Sequence, residues 1–102
     1  MTSQRELPII WDTEEFLNFK KLIADIKKRS ARLAKHIQAD IKGKIKLISK
    51  TPYIYEADSL KHNNDGTFRK FTSIHIRIVY KIDIDKIIIL RVRHSASEPQ
   101  NY

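Results

Sequence analysis

Two segments with the pattern of β-strands carry three arginines that could together bind an anion such as a phosphate group. They are Arg77, Arg91 and Arg93. If the strands pair, the three guanidinium groups gather on one face of a sheet, where they repel one another. Guanidinium groups in fixed positions stabilise the charge that builds on a phosphoryl group during its transfer. The sequence leaves two interpretations open: a phosphate-binding face, or a solvated face balanced by acids from the segment 56–58 or from the C-terminal tail.

His94 ends the second of these segments and is the candidate for proton transfer, because histidine titrates near neutrality. A lone histidine at a strand end is nevertheless more often structural. The other histidines, His36, His62 and His75, lack carboxylates at ligand spacing, and the chain has no cysteine, so no metal site is predicted. With two glycines in the chain there is no glycine-rich phosphate loop, and no cofactor is predicted.

The two segments that carry these residues are predicted to form a hairpin. The first has apolar side chains at every second position, namely Ile74, Ile76, Ile78, Tyr80 and Ile82. In the second, one face is marked by Ile88, Leu90 and Val92, and the other by Ile87, Ile89, Arg91 and Arg93.

The length of the hairpin loop decides which side chains share a face. A two-residue loop at Ile84 and Asp85 would mix apolar residues and arginines on both faces. We therefore predict a three-residue loop, 83–85 or 84–86. This register predicts one apolar face and one exposed face that carries Arg77, Arg91 and Arg93.

The elements before the hairpin must cover its apolar face. The apolar run 7–11 predicts a short first strand. Asp12, with Glu15 three residues later, predicts a capping box and a helix that begins at Thr13. Ser30 is a second candidate N-cap, for a helix that Pro52 should end.

These elements predict an α+β fold. It consists of an N-terminal strand, a helical hairpin and a three-stranded antiparallel meander that begins with a short strand at 68–71, with the helices on one face of the sheet. The 102 residues are enough for one modest core, so residues 1–102 are predicted to form a single domain.

The net charge of +8 favours a polyanionic partner, either nucleic acid or an acidic protein segment, over a membrane surface. No apolar stretch approaches the roughly 20 residues that a membrane span needs. The polar N-terminus does not have the pattern of a signal peptide. We therefore expect a cytoplasmic protein.

Taken in order, from about Trp11 to His94, the segments resemble the RelE/ParE family of bacterial toxins. The resemblance rests on a helical hairpin patterned Ser30, Ala34, Ile37, Ile41, Ile48 and Pro52, then on Gly66-x-x-Arg69, Ile76-Arg77-Ile78-Val79-Tyr80 and Ile88-Ile89-Leu90-Arg91-Val92-Arg93-His94. The closing Arg-Val-Arg-His, with Pro99 and Tyr102, is similar to the ending of one branch of the family.

The resemblance implies the toxin of a type II toxin-antitoxin system, neutralised by an acidic antitoxin in a toxin-antitoxin hetero-oligomer. RelE-like members cleave messenger RNA on the ribosome without a metal, whereas ParE-like members poison DNA gyrase. In the first hypothesis, an endoribonuclease, the resemblance assigns catalysis to His94, Arg77, Arg91 and Arg93, and substrate binding to Arg69, Lys61 and Tyr102.

The alternatives to an endoribonuclease are a gyrase inhibitor and a non-catalytic module that binds nucleic acid. The paired lysines that RelE carries on an earlier strand have no counterpart here, which favours gyrase. A binding module would need aromatic side chains beside the arginines, to stack bases, and the strand pattern places none on that face.

Overall fold

The structure, a computed structural model, describes residues 5–96 and 101–102. In chain order its elements are β1 (Ile9–Trp11), α1 (Thr13–Arg29), α2 (Ala31–Lys50), β2 (Phe68–Ser73), β3 (Ile76–Ile82) and β4 (Ile87–His94). The four strands form one sheet in the order β1-β4-β3-β2, in which β2, β3 and β4 make an antiparallel meander. The predicted α+β fold is confirmed. The sheet is mixed, because the helical hairpin carries the chain across so that β1 pairs with β4 in parallel.

Both helices begin at the predicted caps. The Asp12 carboxylate accepts a hydrogen bond from the Glu15 amide at 3.1 Å, and the Ser30 hydroxyl accepts one from the Leu33 amide at 3.0 Å. The capping box at the first helix is only half formed, because the Glu15 carboxylate accepts from the amide of Val92 on β4 instead of returning to its own cap.

The core lies between the helical hairpin and one face of the sheet. The helices contribute one buried residue from α1 and four from α2, namely Ile23, Ala34, Ile37, Ile41 and Ile48. The β3 strand contributes Ile76, Ile78, Tyr80 and Ile82. α2 ends at Lys50, before Pro52, and the Tyr80 hydroxyl donates to the Pro52 carbonyl at 2.7 Å. The predicted helix stop therefore also gives the buried tyrosine a hydrogen-bond partner.

The β3–β4 hairpin differs from the predicted one in its loop and its register. Its loop has four residues, 83–86, and not three, with Ile82 opposite Ile87 and Tyr80 opposite Ile89. This is the register that a two-residue loop would give, and not the predicted one. This register does not bring arginines and apolar residues onto the same face, because only the residue pairs near the loop follow it.

A β-bulge at Leu90 changes the register in the middle of the hairpin. Beyond the bulge Ile78 lies opposite Val92, and Arg77 lies opposite Arg93. The extra residue restores the phase in which apolar side chains share one face and arginines share the other.

The bulge also changes which β4 residues reach the core. The buried residues are Ile87, Ile89 and Val92, whereas Ile88 and Leu90 are only partly buried. The prediction that Ile88 and Leu90 mark the core face is therefore wrong, because it assumed one unbroken alternation along the strand.

The segment between α2 and β2 folds back along the outer edge of β2. Ala57 forms an isolated bridge with Arg69, the Asp58 amide donates to the Phe68 carbonyl at 2.8 Å, and the Lys70 amide donates to the Glu56 carbonyl at 3.2 Å. These bonds satisfy backbone groups that an edge strand would otherwise expose. They also bring Asp58 to the rim of the sheet face that the helices leave uncovered.

Candidate functional site on the arginine face

The sheet face opposite the helices, here called the arginine face, carries Arg77, Arg91 and Arg93, as predicted. Arg77 is paired with Arg93, and Arg91 with Val79, so the three guanidinium groups start from neighbouring positions. The prediction that all three are exposed is wrong for Arg77, which is only 7% exposed, and Arg91 and Arg93 are only partly exposed. The segment that follows α2 covers Arg77.

A buried ion pair holds Arg77. Its guanidinium donates to the carboxylate of Asp58, a residue that is 1% exposed. The same carboxylate accepts from the Leu60 amide at 3.2 Å, which fixes its orientation. An arginine that is buried and paired in this way is available to an incoming phosphate only if the phosphate displaces Asp58.

Tyr102 lies on the arginine face and, with Arg77, Asp58 and Arg91, forms a cluster of contacting side chains. Its hydroxyl donates to Asp58 at 2.5 Å, and its ring centroid lies 4.3 Å from the Arg91 guanidinium. Its amide donates to the Leu60 carbonyl, while its carbonyl accepts from the His62 amide. The resemblance placed Tyr102 among the substrate-binding residues, and the structure brings it together with two of the predicted arginines.

The electrostatics of the cluster follow from this geometry. Burial alone would raise the pKa of Asp58, but hydrogen bonds from Tyr102, the Leu60 amide and Arg77 outweigh burial and hold the pKa below its ordinary value. Burial raises the pKa of the Tyr102 hydroxyl, and its hydrogen bond to the Asp58 carboxylate raises it further. At neutral pH the carboxylate is therefore ionised and the phenol protonated.

Cations and aromatic rings alternate across the rest of this face. The Lys61 ammonium lies 4.8 Å from the ring centroid of Phe68 and 5.7 Å from that of Tyr102. The Lys81 ammonium lies 5.6 Å from the Phe68 ring. The expectation of no aromatic side chain beside the arginines is wrong, because Phe68 faces Lys81 across β2 and β3 and Tyr102 arrives from outside the strands.

Arg93 reaches over the edge of β4 to the first helix. Its guanidinium forms an ion pair with Glu15 at 2.5 Å, and the same carboxylate accepts from the Val92 amide at 2.8 Å. The Asn18 amide group donates to the Val92 carbonyl. β1 is too short to pair with this end of β4, so side chains of α1 satisfy the strand edge there.

His94 lies on the opposite side of the sheet from this cluster. It is paired with the buried Ile76, and successive side chains of a strand point to opposite faces, so its ring lies on the helix side. There it borders a small cleft with Asp25 and Arg29 of α1, and its ring stacks on His75 with centroids 5.7 Å apart. The structure therefore does not bring His94 together with the three arginines.

Arg69 also starts from the helix side, opposite Tyr80. Its guanidinium donates to the carbonyls of Gly66 and Tyr55 at 2.9 Å each, and packs over the ring of Tyr53 at 4.8 Å. These contacts tie the segment after α2 to β2. Of the predicted substrate-binding residues, only Lys61 and Tyr102 lie on the arginine face.

The described part of the chain offers neither a metal-binding cluster nor a membrane-spanning helix. In residues 5–96 and 101–102, no three histidine, aspartate or glutamate side chains are grouped so that they could hold a metal ion. No helix in the same residues has the length and apolar character that crossing a bilayer requires.

A helical hairpin on one face of a small mixed sheet, with a cationic opposite face, is the architecture expected of RelE/ParE toxins. A family model described as the ParE toxin of the type II toxin-antitoxin system, parDE, matches residues 10–99. The chain therefore belongs to this family and is the toxin of a type II toxin-antitoxin system, which implies an antitoxin partner. A search of the curated proteins finds no match.

Proposed function

We propose that this toxin arrests growth by binding DNA gyrase, and that it does not cleave RNA. The observation that carries the proposal is the separation of His94 from Arg77, Arg91 and Arg93 by the thickness of the sheet. The resemblance assigns gyrase poisoning to ParE-like members, which is the branch that the matching family model describes. Gyrase is cytoplasmic, so the toxin would act in that compartment.

The chemistry of the arginine face supports the same choice. Cleavage of RNA by its own 2′-hydroxyl needs a group that accepts a proton at neutral pH. On this face the Tyr102 hydroxyl has a raised pKa and donates to Asp58, whose lowered pKa makes it a poor base. Arg77 and Arg93 are each engaged by a carboxylate, so part of their charge is already neutralised.

The proposal is tested with purified toxin in two parallel reactions. One contains gyrase and relaxed plasmid, and the other contains ribosomes that translate a defined messenger RNA. We expect loss of supercoiling in the first and intact RNA in the second. His94→Gln should behave as wild type in both, with His36→Gln, an exposed helix residue, as the control. Cut messenger RNA with unimpaired supercoiling would reject the proposal.

RNA cleavage on the ribosome is the second candidate, because Lys61, Lys81 and Arg91 surround two aromatic rings on the arginine face. Cations that flank stacked rings are a common means of holding single-stranded nucleic acid. In this reading Lys61→Ala and Tyr102→Ala should reduce cleavage. Neither substitution should affect inhibition of gyrase if the helix side or the hairpin loops contact that enzyme.

An acidic antitoxin segment would fit the helical hairpin. A groove between β1, α1 and α2 is floored by Trp11, Phe19 and Ile45 and flanked by Lys42 and Lys46. An amphipathic segment with acids on its rim would bury apolar surface there while its carboxylates meet the two ammonium groups. Lys42→Glu combined with Lys46→Glu should weaken co-purification with the antitoxin and leave growth arrest intact. Unchanged co-purification would place the antitoxin elsewhere.

A further inference from the structure

The tip of the β3–β4 hairpin presents an apolar side chain that contributes nothing to the core. Ile84 is 95% exposed, the largest exposure among the large apolar residues of the described chain. The turn beneath it is held by a hydrogen bond from the Asp83 amide to the Lys86 carbonyl at 2.8 Å, and the Asp83 carboxylate accepts from the Ile84 amide. A β-branched residue has no advantage in such a turn, where polar turn formers are preferred. Ile84 therefore contributes neither to the core nor to the geometry of the turn.

The surroundings of Ile84 differ in charge from the rest of the molecule. Here the hairpin-tip patch denotes Tyr53, Asp65, Lys81 and the loop 83–86; the first three residues share a shallow groove with Asp83 and Ile84. Of the 20 basic and 12 acidic side chains in the chain, the patch holds two and three, which leaves 18 and 9 elsewhere. Lys86 and Asp85 pair with each other at 3.9 Å and Lys81 lies over the Phe68 ring, so the patch has a net charge of −1 against +9 for the rest of the chain.

We propose that the hairpin-tip patch is the surface that contacts the toxin's target, with Ile84 inserted into an apolar pocket that has a basic rim. A patch with this net charge attracts a basic-rimmed protein surface, whereas it offers an acidic antitoxin no attraction. The exposed ring of Tyr53, beside the groove, extends the apolar contact. The identification of this target as gyrase rests on the function proposed above; the assignment of the patch to target contact does not.

The test compares Ile84→Ser with Ile74→Ser. Ile74 is the matched control, because it is the same residue type, 44% exposed, in the turn at the other end of β3. Each variant is induced in cells, and the inducer concentration that halves growth is measured. Thermal unfolding and co-purification with the cognate antitoxin are measured in parallel.

We expect Ile84→Ser to weaken target binding on the order of 10- to 100-fold, the effect of losing one buried isoleucine side chain. Growth arrest and gyrase inhibition should fall together, while unfolding and antitoxin binding stay as in wild type. Ile74→Ser should retain full toxicity. Reversing the charges with Asp83→Lys and Asp85→Lys should also weaken growth arrest, and in the assay with purified toxin it should weaken gyrase inhibition more at low salt than at high salt.

Three outcomes would overturn the assignment: full toxicity of folded Ile84→Ser, equal loss of toxicity in Ile74→Ser, or loss of antitoxin binding by Ile84→Ser. Failure of the proposed function is seen separately, as wild-type toxin that does not inhibit gyrase. In that case the growth-arrest comparison of the two isoleucine variants still decides whether the hairpin tip contacts the target.

Discussion

Asp58→Asn should destabilise the toxin severely, because Asp58 forms a buried ion pair. Its side chain is fully buried, and that of Arg77 is 8% exposed. Replacing the carboxylate by an amide keeps the volume but leaves a buried guanidinium without this counter-charge. It also weakens the bond from the Tyr102 hydroxyl. Breaking a buried pair by removing one partner typically costs about 3–5 kcal/mol, a large part of the roughly 5–15 kcal/mol by which a small domain is stable.

Equilibrium unfolding in urea measures this effect. We expect a lower midpoint with an unchanged slope, since the surface exposed on unfolding stays the same. Glu56→Gln is the matched control: this acid lies two residues earlier, is largely exposed and pairs with Lys70, so its replacement should leave the midpoint close to wild type. A free energy of unfolding for Asp58→Asn within about 1 kcal/mol of wild type would refute the structural role given to the pair.

Three further predictions concern the same face. Because the pKa of Asp58 is below its ordinary value in the folded protein, its contribution to stability is present above about pH 4 and is lost as the pH falls through the folded-state pKa. Acid titration of the unfolding free energy should therefore be steeper for wild type than for Asp58→Asn, and parallel curves would contradict this. Arg77→Lys should lower the unfolding midpoint and the growth arrest together, because one ammonium cannot reproduce the contacts of a guanidinium; lost toxicity at unchanged stability would indicate a catalytic role instead. Glu15→Ala should cost about 1–3 kcal/mol in thermal unfolding, since the Val92 amide and Arg93 both lose their acceptor, and Glu15→Gln should recover part of this loss.

Features that depend on neighbours in sequence were predictable. The caps at Asp12 and Ser30 bond to amides three residues away, so residue type and spacing contain the whole interaction. The helix stop before Pro52 is equally local. The predicted alternation of apolar side chains along β3 is confirmed from Ile76 to Ile82, because every second residue there packs against the helices.

The hairpin register was not predictable in full, because the alternation of a strand does not reveal a bulge. The buried residues 87, 89 and 92 of β4 are spaced by two and then by three positions, and the interval of three marks the extra residue. In the sequence this interval is hidden, because Ile88 and Leu90 are equally apolar and supply a regular alternative. Only contact with the helices distinguishes residues 87, 89 and 92, which are buried, from Ile88 and Leu90, which are not.

The balance of charge on the arginine face depends on contacts that no strand pattern contains. The sequence allowed two interpretations of the three arginines. Either they form a binding site for an anion, or nearby acids neutralise their charge. For Arg77 and Arg93 the acids are present, and they come from a loop 19 positions away and a helix 78 positions away. Such carboxylates lower the affinity for phosphate, because an incoming anion must displace them. Two of the arginines that suggested an RNA-cleaving site, Arg77 and Arg93, are therefore explained first as parts of the fold, and a contact surface for the target is better sought where exposed side chains have no such explanation.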